Sequence, residues 1–170
     1  MDAASVARCE VEVRRELRDG DVDRIVELHR DVYAAEHGMQ PGFWAAVKGT
    51  LEESVARGWP ERSGGVWLLD GEHGLAGALG LTDEGGGCGH VRWFVLRPEL
   101  RGRGLGRAML GELLAHAREA GMHQLSLETF SALRTAAHLY RDAGFRVVWE
   151  REIDIWGPPI VYQHYELRLR

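Results

Sequence analysis

The sequence predicts an α/β domain whose mixed sheet of about seven strands is flanked by about four helices. Three observations predict it. Segments with strand-like apolar alternation and segments with helical i, i+3, i+4 spacing follow in the order β-α-α-β-β-β-α-β-α-β-β. Glycines stand where the helical segments should stop. No internal repeat or low-complexity linker breaks the chain, and its 170 residues suit one domain with a sizeable core.

Residues 1–10 are small and polar and read as a frayed tail, leaving 11–170 as the domain. Val11 to Leu17 alternates as a first strand. Arg18-Asp19-Gly20-Asp21 is a turn with an N-cap candidate. Val22, Ile25, Val26, His29, Val32 and Tyr33 then mark one face of an amphipathic helix, stopped by Gly38. A second helix follows Pro41, with Phe43, Trp44, Val47, Leu51 and Val55 on one stripe. Gly64-Gly65 ends it. Val66 to Leu69 and Leu75 to Thr82 read as a hairpin joined by a turn of about five residues from Asp70-Gly71. Glu84 to Gly89 reads as a glycine-rich loop, and Val91 to Leu96 as a third antiparallel member. A helix from Arg107 to Ala120 buries Met109, Leu110, Leu113, Leu114 and Ala117, and Gly121 stops it. Gln124 to Thr129 is a strand. Leu133, Ala136, Ala137 and Tyr140 stripe a short helix ending at Gly144. Phe145 to Glu152 and Val161 to Leu169 are the last strands, and the final one is a candidate for pairing across a homodimer.

Composition narrows the function classes. The net charge of -5 argues against nucleic acid as a partner, because such binding neutralises many phosphates with Lys and Arg. The two cysteines, Cys9 and Cys88, are too few for a disulfide framework and lack zinc-ligand spacing. The eight histidines form no HExxH or other tight ligand pair, so no metal is expected. No apolar run approaches the ~20 residues of a membrane span, and no signal peptide is legible, so the expected location is the cytoplasm.

The most informative stretch is Arg97-Pro98-Glu99-Leu100-Arg101-Gly102-Arg103-Gly104-Leu105-Gly106-Arg107. It joins a strand to a helix, and its glycines alternate with Arg and Leu. A glycine-rich turn opening a helix presents free backbone N–H groups at the positive end of the helix dipole, which suits an anion and above all a phosphate. Two nucleotide folds are disfavoured. A dinucleotide turn needs GxGxxG directly after a strand, and here Arg107 falls where the third glycine belongs. A P-loop needs GxxxxGK[ST], and the chain has no Gly-Lys pair. A mere loop would need neither three glycines nor this strand-to-helix setting.

The run resembles the pyrophosphate turn of the GNAT N-acetyltransferases, in which Arg or Gln is followed after two residues by Gly-x-Gly/Ala; Arg101 to Gly106 matches it. Phe94-Val95-Leu96-Arg97-Pro98 is similar to the strand end of that family. Ala136-Ala137-His138-Leu139-Tyr140-Arg141-Asp142-Ala143-Gly144-Phe145 is similar to its helix with a Leu-Tyr pair, then Gly-Phe opening the next strand. Tyr33 to Gly38, Thr129 to Leu133 and Trp156-Gly157 further resemble the acetyltransferase half of proteins that fuse a MarR-type DNA-binding domain to a GNAT domain. With only about ten residues before the first strand, the winged-helix half is expected to be absent, so DNA binding is not carried over.

The resemblance implies the GNAT fold, with a mixed, mostly antiparallel sheet, and acetyl-CoA as cosubstrate for N-acetylation of a primary amine. It implies that backbone N–H groups from Gly102 to Arg107 wrap the pyrophosphate, with Arg101, Arg103 and Arg107 adding contacts beside Gly104, Leu105 and Gly106. Backbone of Phe94, Val95 and Leu96 would pair with pantetheine as an added strand, and the Leu96 N–H would polarise the thioester carbonyl. Tyr140 is the implied general acid for the departing thiolate. For the base, Glu128 leads, followed by Glu36 and His90. Leu133 stands where many members carry a cofactor-contacting Asn, with Ser131 as its stand-in. Acceptor-side candidates are Tyr33, Glu36, Phe43, Trp44 and Trp156. The acceptor is expected to be a small or amino-acid-like amine. Peptide or protein amines, and a sensor module without turnover, stand as alternatives.

Overall fold

The computed structural model describes residues 11–170, and the expected tail and Cys9 lie outside them. The expected element order holds. Strand β1 (Glu12–Arg14) is followed by helices α1 (Asp21–His37) and α2 (Pro41–Ala56). Strands β2 (Gly65–Gly71), β3 (Gly74–Gly85) and β4 (Cys88–Leu96) precede α3 (Leu105–Glu119). Then come β5 (Gln124–Phe130), α4 (Arg134–Asp142), β6 (Arg146–Ile153) and β7 (Ile160–Arg168). The seven strands form one sheet in the order β1-β2-β3-β4-β5-β7-β6, antiparallel throughout except for β4 beside β5.

Several boundaries move for physical reasons. The glycine-rich segment expected to be a loop is a tight hairpin instead. β3 and β4 pair out to Gly85 and Cys88, leaving Gly86 and Gly87, both at positive φ, as the two-residue turn. Mirror-image turns of this kind match strand twist and favour glycine at both places. The β2–β3 turn is likewise shorter than expected, with Gly71 opposite Gly74. The first strand shrinks to Glu12–Arg14. Strand β7 lies between β5 and β6, so its edges are both paired and it is not free to pair across a dimer. The edge on that side of the sheet, among the described residues, belongs to β6, whose pairing is bulged beside Val148 and whose sequence alternates Glu150, Arg151 and Glu152. Bulges and charges are common guards of an exposed edge.

Two apolar clusters sandwich the sheet. One packs α3 and α4 on one face, centred on Trp67, Leu110, Leu113, Leu125, Phe145 and Tyr165. The other packs α1 and α2 on the opposite face through Ile25, Leu28, Leu51, Leu68, Trp93 and Phe130. Strand β4 contributes to both, and one irregularity in it shapes everything beside it. Ala78 pairs with Val95 and Gly80 with Arg92, so Leu79 alone faces both Trp93 and Phe94. Trp93 takes a left-handed backbone conformation, φ 53°. This bulge turns Trp93 to the same face as Arg92. Its indole packs edge-on to Trp59 at 4.8 Å and donates from Nε1 to Thr50 Oγ1 at 3.0 Å.

Just ahead of the bulge, after His90, β4 leaves β5. The two strands pair only over Cys88, Gly89 and His90 against Gln124, Leu125 and Ser126, whereas β5 stays paired to β7 as far as Phe130. A bulge bends its strand and raises local twist, which accounts for the parting. Gly80 makes room for it, since a Cβ there would lie 2.6 Å from the Trp93 ring. Gly80→Ala is therefore expected to cost about 1–3 kcal/mol by overpacking. A thermal melt should show a fall in Tm of roughly 2–12 °C for a chain of this size. An unchanged Tm would mean that Trp93 does not seat against Gly80.

Candidate active site

The parted strands open a cavity of about 790 Å³. Its lining comes from α1, α2, β4, the glycine run, β5, α4, Trp156 and Tyr162. On one side stands the free edge of β4. The Arg97 N–H donates to the Ala76 carbonyl of β3 at 2.9 Å, so by strand alternation the peptide groups of Leu96 and Phe94 point the other way, into the gap. Val95 lines the cavity, but its peptide groups point to β3. The Leu96 carbonyl accepts from the Arg101 guanidinium at 3.0 and 3.3 Å, while its N–H faces the opening.

The β4 edge runs directly into the glycine run. Residues Pro98–Leu100 form one 3-10 turn, and Gly102 and Gly104 follow at φ 70° and 77°. A Cβ at either glycine meets nothing, so glycine is required there by the left-handed backbone rather than by crowding. Gly104 is the N-cap of α3, which starts two residues earlier than the sequence suggests. The first helical bond runs from the Ala108 N–H to the Gly104 carbonyl, 3.0 Å, so the N–H groups of Leu105, Gly106 and Arg107 have no helical acceptor. A Cβ at Gly106 would make ordinary contacts of 3.4 to 3.6 Å with Leu96, Phe94 and Leu139.

The arginines divide. Arg101 is held by both oxygens of Glu36 at 2.9 Å, which ties the end of α1 to the run. Arg107 pairs with Asp142 of α4 at 2.7 Å on the surface. Arg103 is exposed and stands outside the cavity lining. The donor set is thus mainly backbone amide, with positive side chains at its rim, and it suits an anion such as pyrophosphate.

Tyr140 projects from α4 onto the cavity wall, packed by Phe94, Phe145 and Tyr165 at centroid distances of 6.3, 5.9 and 5.8 Å. Its hydroxyl has no hydrogen-bond partner among the described residues, yet it is not sealed from solvent. Burial, with Tyr33 and Tyr165 nearby, pushes its phenol far above the ordinary range, so it keeps its proton. Tyr33, also on the wall, is pushed up to about 12 by burial, an effect that Arg101 offsets in part.

Glu128 of β5 stands on the opposite wall between two imidazoles. His90 Nε2 lies 2.5 Å from one carboxylate oxygen, and His164 Nδ1 lies 3.0 Å from the other. A carboxylate accepts only, so each of these ring nitrogens carries a hydrogen. His90 Nδ1 lies 2.7 Å from Ser126 Oγ, so both of its ring nitrogens are engaged. Burial opposes the Glu128 charge, but the hydrogen bonds and charges of the two histidines outweigh it and hold the carboxyl below its ordinary range. Ser126, His90 and Glu128 are connected like a nucleophilic triad, but Ser126 does not line the cavity.

Of the acceptor-side candidates, Tyr33, Glu36, Phe43 and Trp156 line the cavity and Trp44 does not. Trp44 is half-buried and packs against the margin of the α1/α2 cluster. Ser131 is exposed and away from the wall, so it is no stand-in for the missing Asn, whereas Leu133 lines the cavity as the N-cap of α4. Sequence reasoning missed Tyr162, His164 and Phe130. Their signal was the alternation along β5 and β7, which puts Glu128 opposite His164 and Phe130 opposite Tyr162 on one face.

A titration of phenol absorbance checks the site's electrostatics. Tyr33 and Tyr162 are both pushed up to about 12, chiefly by burial, and Tyr140 lies higher. At pH 11 in the folded protein these three of the four tyrosines should remain largely protonated, whereas free phenols ionise near pH 10. Ionisation of two or more tyrosines by pH 11 without unfolding would contradict the placement.

The model of the acetyltransferase (GNAT) family matches residues 23–145, which include the β4 edge, the glycine run and Tyr140. An IAA acetyltransferase of Azospirillum brasilense is 35% identical over 132 residues, covering 76% of this chain and 78% of that protein. A mycothiol acetyltransferase of Propionibacterium freudenreichii is 29% identical over 134 residues, or 77% of this chain, and the match spans 42% of that longer protein. Among solved structures, a GNAT-family acetyltransferase from Staphylococcus aureus superposes with a TM-score of 0.73 at 15% identity, covering 95% of this chain and 100% of the other. For yncA of Salmonella typhimurium, solved with its cofactor acetyl-CoA, the TM-score is 0.69 at 18% identity over 94% of each chain. These structures share the fold. The family match covers more than half of the chain, and the chain belongs to the GNAT family of acetyl-CoA-dependent N-acetyltransferases.

Proposed function

We propose that the domain transfers the acetyl group of acetyl-CoA to the primary amine of a small-molecule or amino-acid-like acceptor, by direct attack within the β4–β5 cavity. One observation carries the reading. An unpaired strand edge, an unsatisfied helix N-terminus, a protonated phenol and a charged carboxylate all face one cavity. In this reading the N–H groups of Leu105, Gly106 and Arg107 bind the pyrophosphate, and Phe94 and Leu96 pair with the pantetheine arm. The free Leu96 N–H then faces the thioester carbonyl and stabilises its developing negative charge.

The hydrogen-bond inventory favours Glu128 among the three base candidates. Glu36 is occupied by the bidentate Arg101. His90 has both ring nitrogens engaged, by Glu128 and Ser126. Glu128 lines the cavity and accepts one hydrogen bond on each oxygen, from His90 and His164, so each oxygen keeps a further lone pair. Its charge attracts the acceptor ammonium and takes the proton that must leave before nitrogen attacks the carbonyl carbon. The C–N bond forms and the C–S bond breaks, and Tyr140 gives its proton to the departing sulfur. The proton lost by the attacking nitrogen restores the phenol through cavity water. The three segments likened to the acetyltransferase half of MarR-type fusions form one wall of this site. They meet there, with Tyr33 5.7 Å from Phe130 and the Gln40 N–H, two residues past Gly38, donating to the Trp156 carbonyl at 2.8 Å.

The assignment is tested by thiol release and calorimetry on the same proteins. Gly104→Val forces a branched side chain into a left-handed N-cap and is expected to abolish measurable acetyl-CoA binding in a folded protein. Retained affinity would remove the cradle from the reading. Tyr140→Phe and Glu128→Gln should each keep acetyl-CoA affinity and cut turnover on the order of 10²-fold. Unchanged turnover in either would leave that residue as packing.

A further inference from the structure

The acceptor half of the cavity has a composition that selects among amines. Beyond the β4 edge its wall is aromatic. Tyr33, Phe43 and Phe130 pack at 5.0 to 6.1 Å from one another. Phe43 meets Trp156 edge-on at 5.4 Å, and Trp156 meets Tyr162 edge-on at 5.7 Å. Trp156 and Tyr162 are only half-buried and present ring surface to the opening, while Tyr33, Phe43 and Phe130 back them. These rings come from α1, α2, β5, the β6–β7 loop and β7, so the wall joins five separate parts of the fold.

Carboxylates are scarce beside it. Only Glu36 and Glu128 line the cavity among the described residues, and Glu36 is neutralised by Arg101. Glu128, held in its charged form by hydrogen bonds from His90 and His164, remains as the one carboxylate of the lining not paired with an arginine. It shares one face of β5 with Phe130, and the β7 residues opposite the two are His164 and Tyr162. A polyamine or an aminoglycoside carries several ammonium groups and would leave all but one without a counter-charge. A peptide N-terminus would bring several amide groups against a wall whose rings carry polar atoms only at the Tyr33 and Tyr162 hydroxyls and the Trp156 indole N–H. One ammonium on an aromatic body meets both features: the charge pairs with Glu128, and the ring takes the offset or edge-on contacts that aromatic walls favour.

We propose that the acceptor is an aryl-alkyl monoamine, held by its ammonium at Glu128 and by its ring against Trp156 and Tyr162. This rests on the acetyltransferase reading above. The test measures thiol release at saturating acetyl-CoA with phenethylamine, tryptamine, butylamine, spermidine and trialanine. Calorimetry on acetyl-CoA is run separately on each protein. The aryl-alkylamines should exceed butylamine, spermidine and trialanine in kcat/KM by about tenfold or more. Trp156→Ala should narrow the aryl-to-butylamine ratio toward unity with acetyl-CoA affinity retained, and Tyr162→Leu serves the same purpose if the first variant does not fold. Equal or better use of spermidine or trialanine would overturn the proposal. So would an aryl preference that survives both substitutions, or bound acetyl-CoA with no aryl-alkylamine turned over. In each of these cases the cofactor reading stands. Absence of acetyl-CoA binding in the unsubstituted protein would instead sink the reading beneath it.

Discussion

Strand β4 cannot satisfy both of its neighbours. Its bulge at Trp93 and Phe94 keeps it paired to β3 through Leu96 while it parts from β5 after His90. Backbone groups that a continuous sheet would have consumed are left facing a gap, and unpaired backbone polar groups away from water are costly unless something pairs with them. The Leu96 carbonyl is already answered by Arg101. The remaining edge is the reason the molecule has a cavity at all, and the packing of Trp93 against Trp59, Thr50 and Gly80 is what keeps it open.

The two walls of the gap handle charge differently. On the α3 side the positive potential is mainly backbone, set by glycines in left-handed conformations and by a helix start, with the nearby arginines largely engaged by Glu36 and Asp142. Such a site is built into the fold and does not depend on where long side chains settle. On the β5 side a single carboxylate is held charged against its burial by two histidines. Between them Tyr140 is kept protonated by the same burial that would discharge an isolated acid. The cavity therefore holds a donor phenol and an acceptor carboxylate whose proton affinities are pushed apart, the arrangement that acid–base chemistry in one site requires.

Much of this was legible in the chain. The periodicities of α1 and α3 report a face buried against the sheet, the continuous apolar runs of β2 and β3 report strands covered on both faces, and β5 alternates, so the element order could be read. The glycine run was legible because a left-handed turn before a helix demands glycine. The family likeness added Tyr140 and the β4 edge. Other features are long-range and leave little local trace. Trp93 looks like any strand residue, and only the register against β3 reveals the bulge. Composition alone makes Glu84 to Gly89 look like a loop, but the consecutive glycines serve a tight hairpin at Gly86 and Gly87. Trp44 sits beside Phe43 on the same helix but lies half-buried at the margin of the cluster and off the cavity wall, and Tyr162 and His164 gain their roles only when β7 inserts between β5 and β6.

Amide hydrogen exchange resolved to single residues tests the central claim most directly, namely that the opened β4 edge and the start of α3 together receive acetyl-CoA. Saturating acetyl-CoA is expected to slow exchange at Phe94 and Leu96 and at Leu105, Gly106 and Arg107, while Val95, already facing β3, changes little. Unaltered exchange at these amides with acetyl-CoA bound, or protection confined to other parts of the surface, would contradict the account.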